Sequence, residues 1–309
     1  MPIKIQSDLP AKEILEKENI FVMDENRAMH QDIRPIQIGI LNLMPVKEDT
    51  ELQLLRALSN TPLQVDVTFL TLQTHESKNT SASHLNKFYM TIPELMEENI
   101  KLDGIIVTGA PLEQMDYDKV DFWPEIEQVF AWIDSNVTSG FFVCWGALAA
   151  FYYYYGIPKI ALPKKLSGVY KHRVENRKVP LVRGFDDVFY APHSRFSGVL
   201  REDVEKHEDL IVLAESDQAG IFLAMKEDGS RVFCTGHPEY DRMTLSDEFF
   251  RDISRGLDPE VPVNYFPDDD PTNRPDLTWR SVSTNLYTNW LNYYVYQNTP
   301  YDITQIHKK

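Results

Sequence analysis

A cysteine between a strand and a helix is the first residue of this sequence whose position indicates chemistry. Cys144 follows the apolar run at 141–143 and precedes Trp145 and Gly146. Its sulfur is therefore predicted at the carboxyl end of a buried strand, where the N-terminus of the next helix stabilises a thiolate. Gly146 allows close packing of that helix on the strand. A buried core cysteine is the alternative for a cysteine considered alone.

A base and an orienting carboxylate follow much later in the chain. His237 and Glu239 stand in the sequence Gly-His-Pro-Glu, directly after an apolar run. Residues two apart in extended chain share a face, so the two side chains can lie side by side. Cysteine catalysis needs a base for the thiol proton and a third group to orient that base. The pattern predicts a Cys144–His237–Glu239 triad that performs acyl transfer.

The elements that must position these residues alternate between strand and helix. Apolar runs predict strands at 36–43, 65–72, 104–108 and 141–143, and helical spacing predicts helices at 48–59, 93–99, 123–137 and 146–155. This alternation is typical of an α/β fold, with a mostly parallel sheet flanked by helices and functional residues at the carboxyl ends of its strands. Further on we predict short strands at 167–171, 210–214, 220–225 and 231–235, a helix at 246–255, a loop at 259–275 and an aromatic helix at 279–296.

Composition excludes several classes of function. The chain has 309 residues and a formal net charge of −16, which argues against binding to nucleic acid or to a membrane surface. Two cysteines are too few for a disulfide framework, so we expect a reducing, cytoplasmic location. No apolar stretch of signal-peptide type follows Met1. The uncharged segment at 141–157 is interpreted as a buried strand, a turn and a buried helix, since glycines and four tyrosines interrupt it.

The domain organisation is predicted to be simple. Residues 1–33 form a polar N-terminal arm, and residues 34–309 form a single domain that includes the C-terminal aromatic helix at 279–296. Six further histidines show no metal-ligand spacing, so we expect no metal site. They are His30, His75, His84, His172, His207 and His307.

Eight characteristic blocks run in order along the chain. They are Leu-Asn-Leu-Met-Pro at 41–45, Val-Thr-Gly-Ala-Pro-Leu at 107–112, Phe-Val-Cys-Trp at 142–145, Lys-Leu-Ser-Gly-Val-Tyr at 165–170, Ala-Pro-His-Ser-Arg at 191–195, Thr-Gly-His-Pro-Glu-Tyr at 235–240, Phe-Phe-Arg-Asp at 249–252 and Asn-Trp-Leu-Asn-Tyr-Tyr at 289–294. With these blocks the sequence resembles the homoserine O-acyltransferase family of methionine biosynthesis, which has a class I glutamine amidotransferase-like (flavodoxin-like) core.

This resemblance implies a two-step reaction between an acyl-coenzyme A and L-homoserine. Cys144 takes the acyl group, and the γ-hydroxyl of homoserine then attacks the acyl-enzyme. The backbone N–H groups of Leu112 and Trp145 are the implied oxyanion donors. The family's substrate positions fall on Lys165, Ser194 and Arg251, side chains that would otherwise be read as ordinary surface residues. The resemblance further implies a homodimer, acyl-CoA as co-substrate and no permanently bound cofactor.

The acyl group is predicted from the residue that follows Gly-Ala-Pro-Leu. In the family a glycine at this position leaves room for a succinyl tail, whereas this chain has Glu113. A carboxylate about 4 Å from the succinyl carboxylate, at an effective dielectric of about 20, repels it by about 4 kcal/mol. Acetyl-CoA is therefore the expected donor. A Glu113 that points to solvent or pairs with a cation would leave succinyl-CoA as the alternative.

Two rival functions and three weaker site candidates stay open at this point. A glutamine amidotransferase is disfavoured because Phe142 replaces the first glycine of the Gly-x-Cys-x-Gly elbow common in that superfamily. A silent binding module is disfavoured because it has no reason to retain all three triad residues. His193, Arg195 and Lys47 could also serve in the substrate pocket.

Overall fold

The computed structural model describes residues 3–6, 8–18, 22–23, 34–74, 77, 79–300 and 302–306. In this part of the chain, one sheet runs through the molecule and helices cover both of its faces. Its strands are β1 (Ile3–Lys4), β2 (Val22–Met23), β3 (Ile36–Leu41), β4 (Val65–Thr71), β5 (Tyr89–Thr91), β6 (Leu102–Val107), β7 (Val137–Val143), β8 (Ile160–Val174), β9 (Val188–Gly198), β10 (Leu210–Ser216), β11 (Gly220–Lys226) and β12 (Arg231–Cys234).

The helices are listed here in chain order. They are α1 (Ala11–Lys17), α2 (Lys47–Leu58), α3 (Ala82–Phe88), α4 (Ile92–Glu97), α5 (Trp123–Asn136), α6 (Trp145–Tyr155), α7 (Arg201–Val204), α8 (Thr244–Ser254) and α9 (Arg280–Asn289), which continues as a π-helix over Trp290–Tyr296. Short 3₁₀ turns occupy Tyr117–Lys119, Pro180–Val182, Pro267–Asp269 and Ile303–Gln305.

The sheet has a parallel half and an antiparallel half that meet at β12. The strand order is β2-β1-β4-β3-β6-β7-β12-β11-β10-β8-β9, and β5 also pairs with β4. Pairing is parallel from β2 through β12 and antiparallel from β12 through β9. The predicted α/β fold with a mostly parallel sheet is confirmed. The carboxyl ends of β3, β6, β7 and β12 therefore meet at one edge, which is where parallel sheets place their functional residues.

The central strands are buried along their whole length because helices cover them on both sides. All seven residues of β7 and all six of β6 are buried, as expected for covered parallel strands. On one face the C-terminal helix packs against β7: Tyr287 stacks on Phe141 with ring centroids 5.1 Å apart. The indole N–H of Trp290 donates to Ser139 Oγ at 2.9 Å. These aromatic residues therefore pack the C-terminal helix against the sheet.

Several elements differ from the sequence-based expectation. The region predicted as a short strand at 167–171 is one half of a long antiparallel hairpin, β8 with β9, and β9 itself was missed. In β9, Pro192 is followed by three polar residues, which conceal the pattern of a strand. All four of these residues are buried. Helix α3 was also missed.

The N-terminal arm is not irregular where it is described. It contributes β1, β2 and α1, and Leu15 of α1 is fully buried in the same apolar cluster as Leu54 and Leu55 of α2. The boundary at residue 33 and the assignment of residues 34–309 to one domain stay predictions. No helix in the described ranges is long and apolar enough to span a membrane.

Candidate active site

Cys144 occupies a strained elbow between β7 and α6. Its backbone has φ 49° and ψ −115°, a conformation that side-chain-bearing residues rarely adopt and that is typical of nucleophile elbows. Gly146 makes the turn possible, since a Cβ there would lie 2.7 Å from the carbonyl oxygens of Val107 and Thr108. The close helix–strand packing predicted for Gly146 is therefore confirmed. The elbow presents the Cys144 thiol at the edge where the parallel strands end.

The pairing of β7 with β12 brings the base to this thiol. Cys234, the last residue of β12, is in register with Val143, and the N–H of Cys144 donates to the Cys234 carbonyl at 2.8 Å. His237 follows three residues later, and its own N–H donates to Pro192 O at 2.9 Å. The segments that follow β7 and β12 are thus fixed at the same edge of the sheet. There the His237 imidazole hydrogen-bonds the Cys144 side chain.

The third member of the triad orients the base. His237 Nδ1 lies 2.7 Å from Glu239 Oε1, and both side chains are buried. With Nδ1 committed to this carboxylate, Nε2 is the nitrogen left for proton exchange with the thiol. Burial lowers the pKa of His237, but the adjoining charges of Cys144 and Glu239 outweigh it and hold that pKa well above its ordinary value. Tyr240 stacks on the imidazole with ring centroids 4.1 Å apart, which fixes its plane.

A cavity of about 160 Å³ opens beside the triad, and we call it the catalytic cavity. Cys144 and His237 line it together with the predicted substrate residues and the predicted specificity residue, namely Lys165, Ser194, Arg251 and Glu113. These residues come from separate parts of the sequence: β8, β9, α8 and the loop after β6. Their convergence on one small cavity is an observation, and their individual roles stay predictions.

Sequence reasoning missed a carboxylate that lines this cavity. Glu248, on α8, accepts a hydrogen bond from Ser194 Oγ, and its Oε1 accepts one from Tyr240 OH at 3.0 Å. Lys165 Nζ lies 3.4 Å from Glu248 and 3.1 Å from Asp252. The sequence contains one signal for Glu248, which is its spacing from Arg251. Residues three apart share a side of a helix, so a substrate-binding Arg251 indicates that Glu248 faces the same site.

Glu113 lines the catalytic cavity and is half-buried. Burial raises the pKa of its carboxyl, and the charges of His237 and Lys165 oppose that shift. Among the described residues, no cation lies within ion-pair distance of this carboxylate. Its backbone carbonyl accepts a hydrogen bond from Ser197 Oγ at 2.7 Å, and Ser197 O in turn accepts one from Arg195. The loop that carries Glu113 is thereby tied to the β8–β9 hairpin.

The two predicted oxyanion donors differ in availability. Trp145 is the first residue of α6, so its N–H has no acceptor within the helix and is free for an oxyanion. The N–H of Leu112 donates to Ala110 O at 2.8 Å, closing a tight turn. The N–H of Leu112 is thus already hydrogen-bonded, and its role as an oxyanion donor stays a prediction that requires this turn to open.

The weaker candidates do not line the catalytic cavity. Arg195 is buried and donates to the carbonyls of Ser197 and Ala219 and to His193 Nδ1. His193 Nε2 lies 3.0 Å from His172 Nε2, inside the hydrophobic core. Lys47 is buried with its ammonium on the Asn42 carbonyl.

No group of three potential metal ligands occurs in the described part of the chain. His84 and His207 lie in that part and contact Glu51 and Tyr155, respectively. His30, His75 and His307 lie outside the described residues.

Comparison with known proteins decides the family. The model of the homoserine O-succinyltransferase family matches residues 2–301. This chain belongs to that family. The family resemblance and the prediction of an acyltransferase are thereby confirmed.

Curated relatives extend the match over almost the whole chain. A protein of Lachnospira eligens is 61% identical over 99% of this chain and 98% of its own length. A protein of Agathobacter rectalis is 62% identical over 98% of this chain and 97% of its own length. A protein of Geobacillus kaustophilus is 57% identical over 98% of this chain and 99% of its own length. All three are named homoserine O-acetyltransferase.

Solved structures show the fold. A glutamine amidotransferase of Thermotoga maritima matches with a TM-score of 0.55 at 12% identity, over 85% of this chain and all of its own. A second glutamine amidotransferase, from Methylobacillus flagellatus, matches with a TM-score of 0.51 at 11% identity, over 84% of this chain and 95% of its own. The glutamine amidotransferase-like core that the elbow and the His-Pro-Glu segment predict is confirmed.

Proposed function

We propose that this protein is a homoserine O-acetyltransferase, which transfers the acetyl group of acetyl-CoA to the γ-hydroxyl of L-homoserine in methionine biosynthesis. The observation that carries the proposal is the shared cavity. Glu113 lines the same small space as the Cys144 nucleophile and its base, where it both fills volume and repels an acyl tail that ends in a carboxylate. The names of the relatives support acetyl as the acyl group.

The first step forms an acetyl-enzyme. The Cys144 thiolate attacks the thioester carbonyl carbon while its proton resides on His237. The N–H of Trp145 stabilises the oxyanion, and one such donor contributes about 3 kcal/mol. The bond from the carbonyl carbon to the CoA sulfur then breaks, and His237 supplies the proton to the departing thiolate. Glu239 holds the imidazolium in place during this exchange.

The second step transfers the acetyl group. The homoserine hydroxyl gives its proton to His237 and attacks the Cys144 thioester, which releases O-acetyl-L-homoserine and returns the thiolate–imidazolium pair. Arg251 is suited to the homoserine carboxylate because its side chain is 46% exposed at the cavity and guanidinium binds carboxylates with two hydrogen bonds. Glu248, already bound to Ser194 and Lys165, is the group suited to the homoserine ammonium.

Acetyl-CoA acts in this scheme as a co-substrate, and we propose no permanently bound cofactor. A cytoplasmic, reducing location fits a reaction that requires the free thiol of Cys144. The homodimer implied by the family is also a proposal, and sedimentation of the purified protein tests it.

Mass spectrometry of the intact protein tests the function. Incubation with acetyl-CoA should add one acetyl group, and L-homoserine should remove it as O-acetyl-L-homoserine. Cys144→Ser should accumulate no thioester, whereas Cys234→Ser, which changes the other cysteine, should still acetylate. Equal rates with succinyl-CoA would contradict the acetyl assignment. Release of ammonia from glutamine would favour an amidotransferase.

A further inference from the structure

A second, larger cavity adjoins the catalytic cavity, and we call it the arginine groove. Its volume is about 860 Å³, within the range of pockets that hold sizeable ligands. The two cavities share Met44, Pro45, Tyr240, Glu248 and Arg251 as a common wall. The groove therefore borders the cavity that holds the Cys144 thiol.

The position of Glu113 sets the direction of a bound thioester. Glu113 lines the catalytic cavity and not the arginine groove. If the acetyl group points toward Glu113, the sulfur of the leaving group points away from it, past Met44 and Tyr240 into the groove. The groove is thus where the remainder of an acyl thioester would lie.

The groove is rich in arginine, on a chain whose net charge is −16. Its arginines are Arg56, Arg242, Arg251, Arg274 and Arg280, of which Arg251 pairs with Asp252. Arg242 donates to Pro275 O at 2.8 Å, which places it beside Arg274. In the described part of the chain, neither of these two side chains has a carboxylate within ion-pair distance. Arginine suits phosphate because its guanidinium offers paired donors in one plane.

Five carboxylates also line the groove, and two of them pair with its arginines. Arg56 binds Glu18 and Asp241, and Arg280 lies 3.2 Å from the same Asp241. The remaining acids are Glu248, which pairs with Lys165, and Asp49 and Asp247, on α2 and α8. The unmatched positive charge is therefore concentrated at Arg242 and Arg274.

Apolar side chains also line the groove. Val46 and Met243 line it with 43% and 42% of their surface exposed, and the half-buried Leu277 is a third apolar member of the lining. Exposed apolar side chains inside a concave site indicate a ligand with an aliphatic segment. Next to the cavity of the Cys144 thiol, the groove thus combines exposed apolar side chains with two guanidiniums that have no carboxylate partner in the described part of the chain.

We propose that the arginine groove binds the body of acyl-CoA, with its pantetheine arm along Val46 and Met243 and its phosphates on Arg242 and Arg274. This proposal rests on the proposed function, because it takes acyl-CoA as the donor. It assigns the nucleotide site that the acidic sequence does not reveal.

The test compares two acetyl donors that differ only in the nucleotide. Arg242→Ala, Arg274→Ala and the double variant should raise the KM for acetyl-CoA about tenfold or more for each arginine. Their kinetics with S-acetylpantetheine, which lacks adenosine and its phosphates, should match the wild-type kinetics and also prove correct folding. Arg173→Ala, an exposed arginine on β8 outside the groove, is the matched control and should change neither donor's kinetics.

Calorimetry with adenosine 3′,5′-bisphosphate supplies a readout that does not depend on turnover. The wild-type protein should bind this nucleotide, and the double variant should lose binding. An unchanged KM for acetyl-CoA in the double variant, or an equal loss with both donors, would overturn the groove assignment. If the wild-type protein used neither donor, the proposed function would fail, and the calorimetry would still decide whether the groove binds the nucleotide.

Discussion

The backbone N–H of Cys144 donates to the carbonyl of Cys234 at 2.8 Å, and this bond joins the strand of the nucleophile to the strand of the base. Beyond this bond the pairing of β7 with β12 ends, and both segments leave the sheet at the same edge. The separation between thiol and imidazole is therefore set by sheet geometry, which is stiffer than a loop. A triad held in this way keeps its alignment through both half-reactions.

Glu239→Gln should lower the pKa of His237, since a carboxylate that favours the imidazolium is lost while burial remains. The limb of the pH profile of kcat/KM that reports the imidazolium should move to lower pH. The rate at neutral pH should fall about 10²–10⁴-fold. Steady-state kinetics from pH 5 to 9 give both readouts, with the exposed Glu127→Gln as control. An unshifted profile with a reduced rate would mean that Glu239 acts through packing alone.

Glu113→Gly should open the acyl site to succinyl-CoA. The ratio of kcat/KM for acetyl-CoA over succinyl-CoA should fall by two to three orders of magnitude, on the order of the 4 kcal/mol repulsion. Glu113→Gln keeps the volume and removes the charge, so it separates the two causes. A Gln variant that discriminates like the wild type would assign the selectivity to size.

Ser197→Ala should weaken the selectivity without changing the chemistry. The substitution removes the 2.7 Å bond from Ser197 Oγ to the Glu113 carbonyl, which positions the loop of the specificity residue. We expect the acetyl-to-succinyl ratio to fall about tenfold and the free energy of unfolding to fall by about 1 kcal/mol. The exposed Ser83→Ala is the control. Loss of stability with an intact ratio would limit Ser197 to a structural role.

Glu248→Gln should separate the two half-reactions. If this carboxylate binds the ammonium of homoserine, the KM for homoserine should rise about 10–100-fold, while acetylation of Cys144 by acetyl-CoA keeps its rate. Stopped-flow or quenched mass spectrometry measures the first half-reaction alone. Glu260→Gln, an exposed partner of Lys164, is the matched control. Equal impairment of both half-reactions would argue against an ammonium-binding role.

His172→Gln should reduce the acid sensitivity of the fold. Burial lowers the pKa of His172 to about 3, whereas the unfolded chain takes up the proton near pH 6.5. The native state therefore loses stability as the pH falls from about 6.5 toward 3, by about 1.4 kcal/mol per pH unit for this group. Urea unfolding at pH 7 and pH 5 should show a smaller drop for the variant. His207→Gln, at a half-buried histidine, is the control.

The parallel half of the fold could be predicted because its signals are local. Each central strand is a short apolar run followed by a helix with its own periodicity, and Gly146 marks the elbow. Strand β9 was missed because the apolar-run criterion looks for aliphatic side chains. Its segment from Ala191 to Arg195 contains three buried polar residues. Their burial depends on hydrogen bonds such as the one from Arg195 to His193, which leave no periodic pattern in the sequence.

The site was predictable to the same degree. Cys144, His237 and Glu239 follow from strand ends and spacing. Glu248 does not, since a glutamate on an amphipathic helix is usually a solvated residue. Only the approach of α8 to β8 and β9 gives it Ser194 and Lys165 as partners. The turn that occupies the Leu112 donor likewise depends on backbone detail that residue types do not encode.

The place of β12 between β7 and β11 has a consequence for protein synthesis. A chain that has emerged from the ribosome only as far as α6 contains Cys144 but neither its base nor its orienting carboxylate, because both follow β12. Since β12 must pair with β7 before the imidazole arrives, incomplete chains hold the thiol without its base. Catalysed acyl transfer thus becomes possible only when the finished sheet has brought the three residues together.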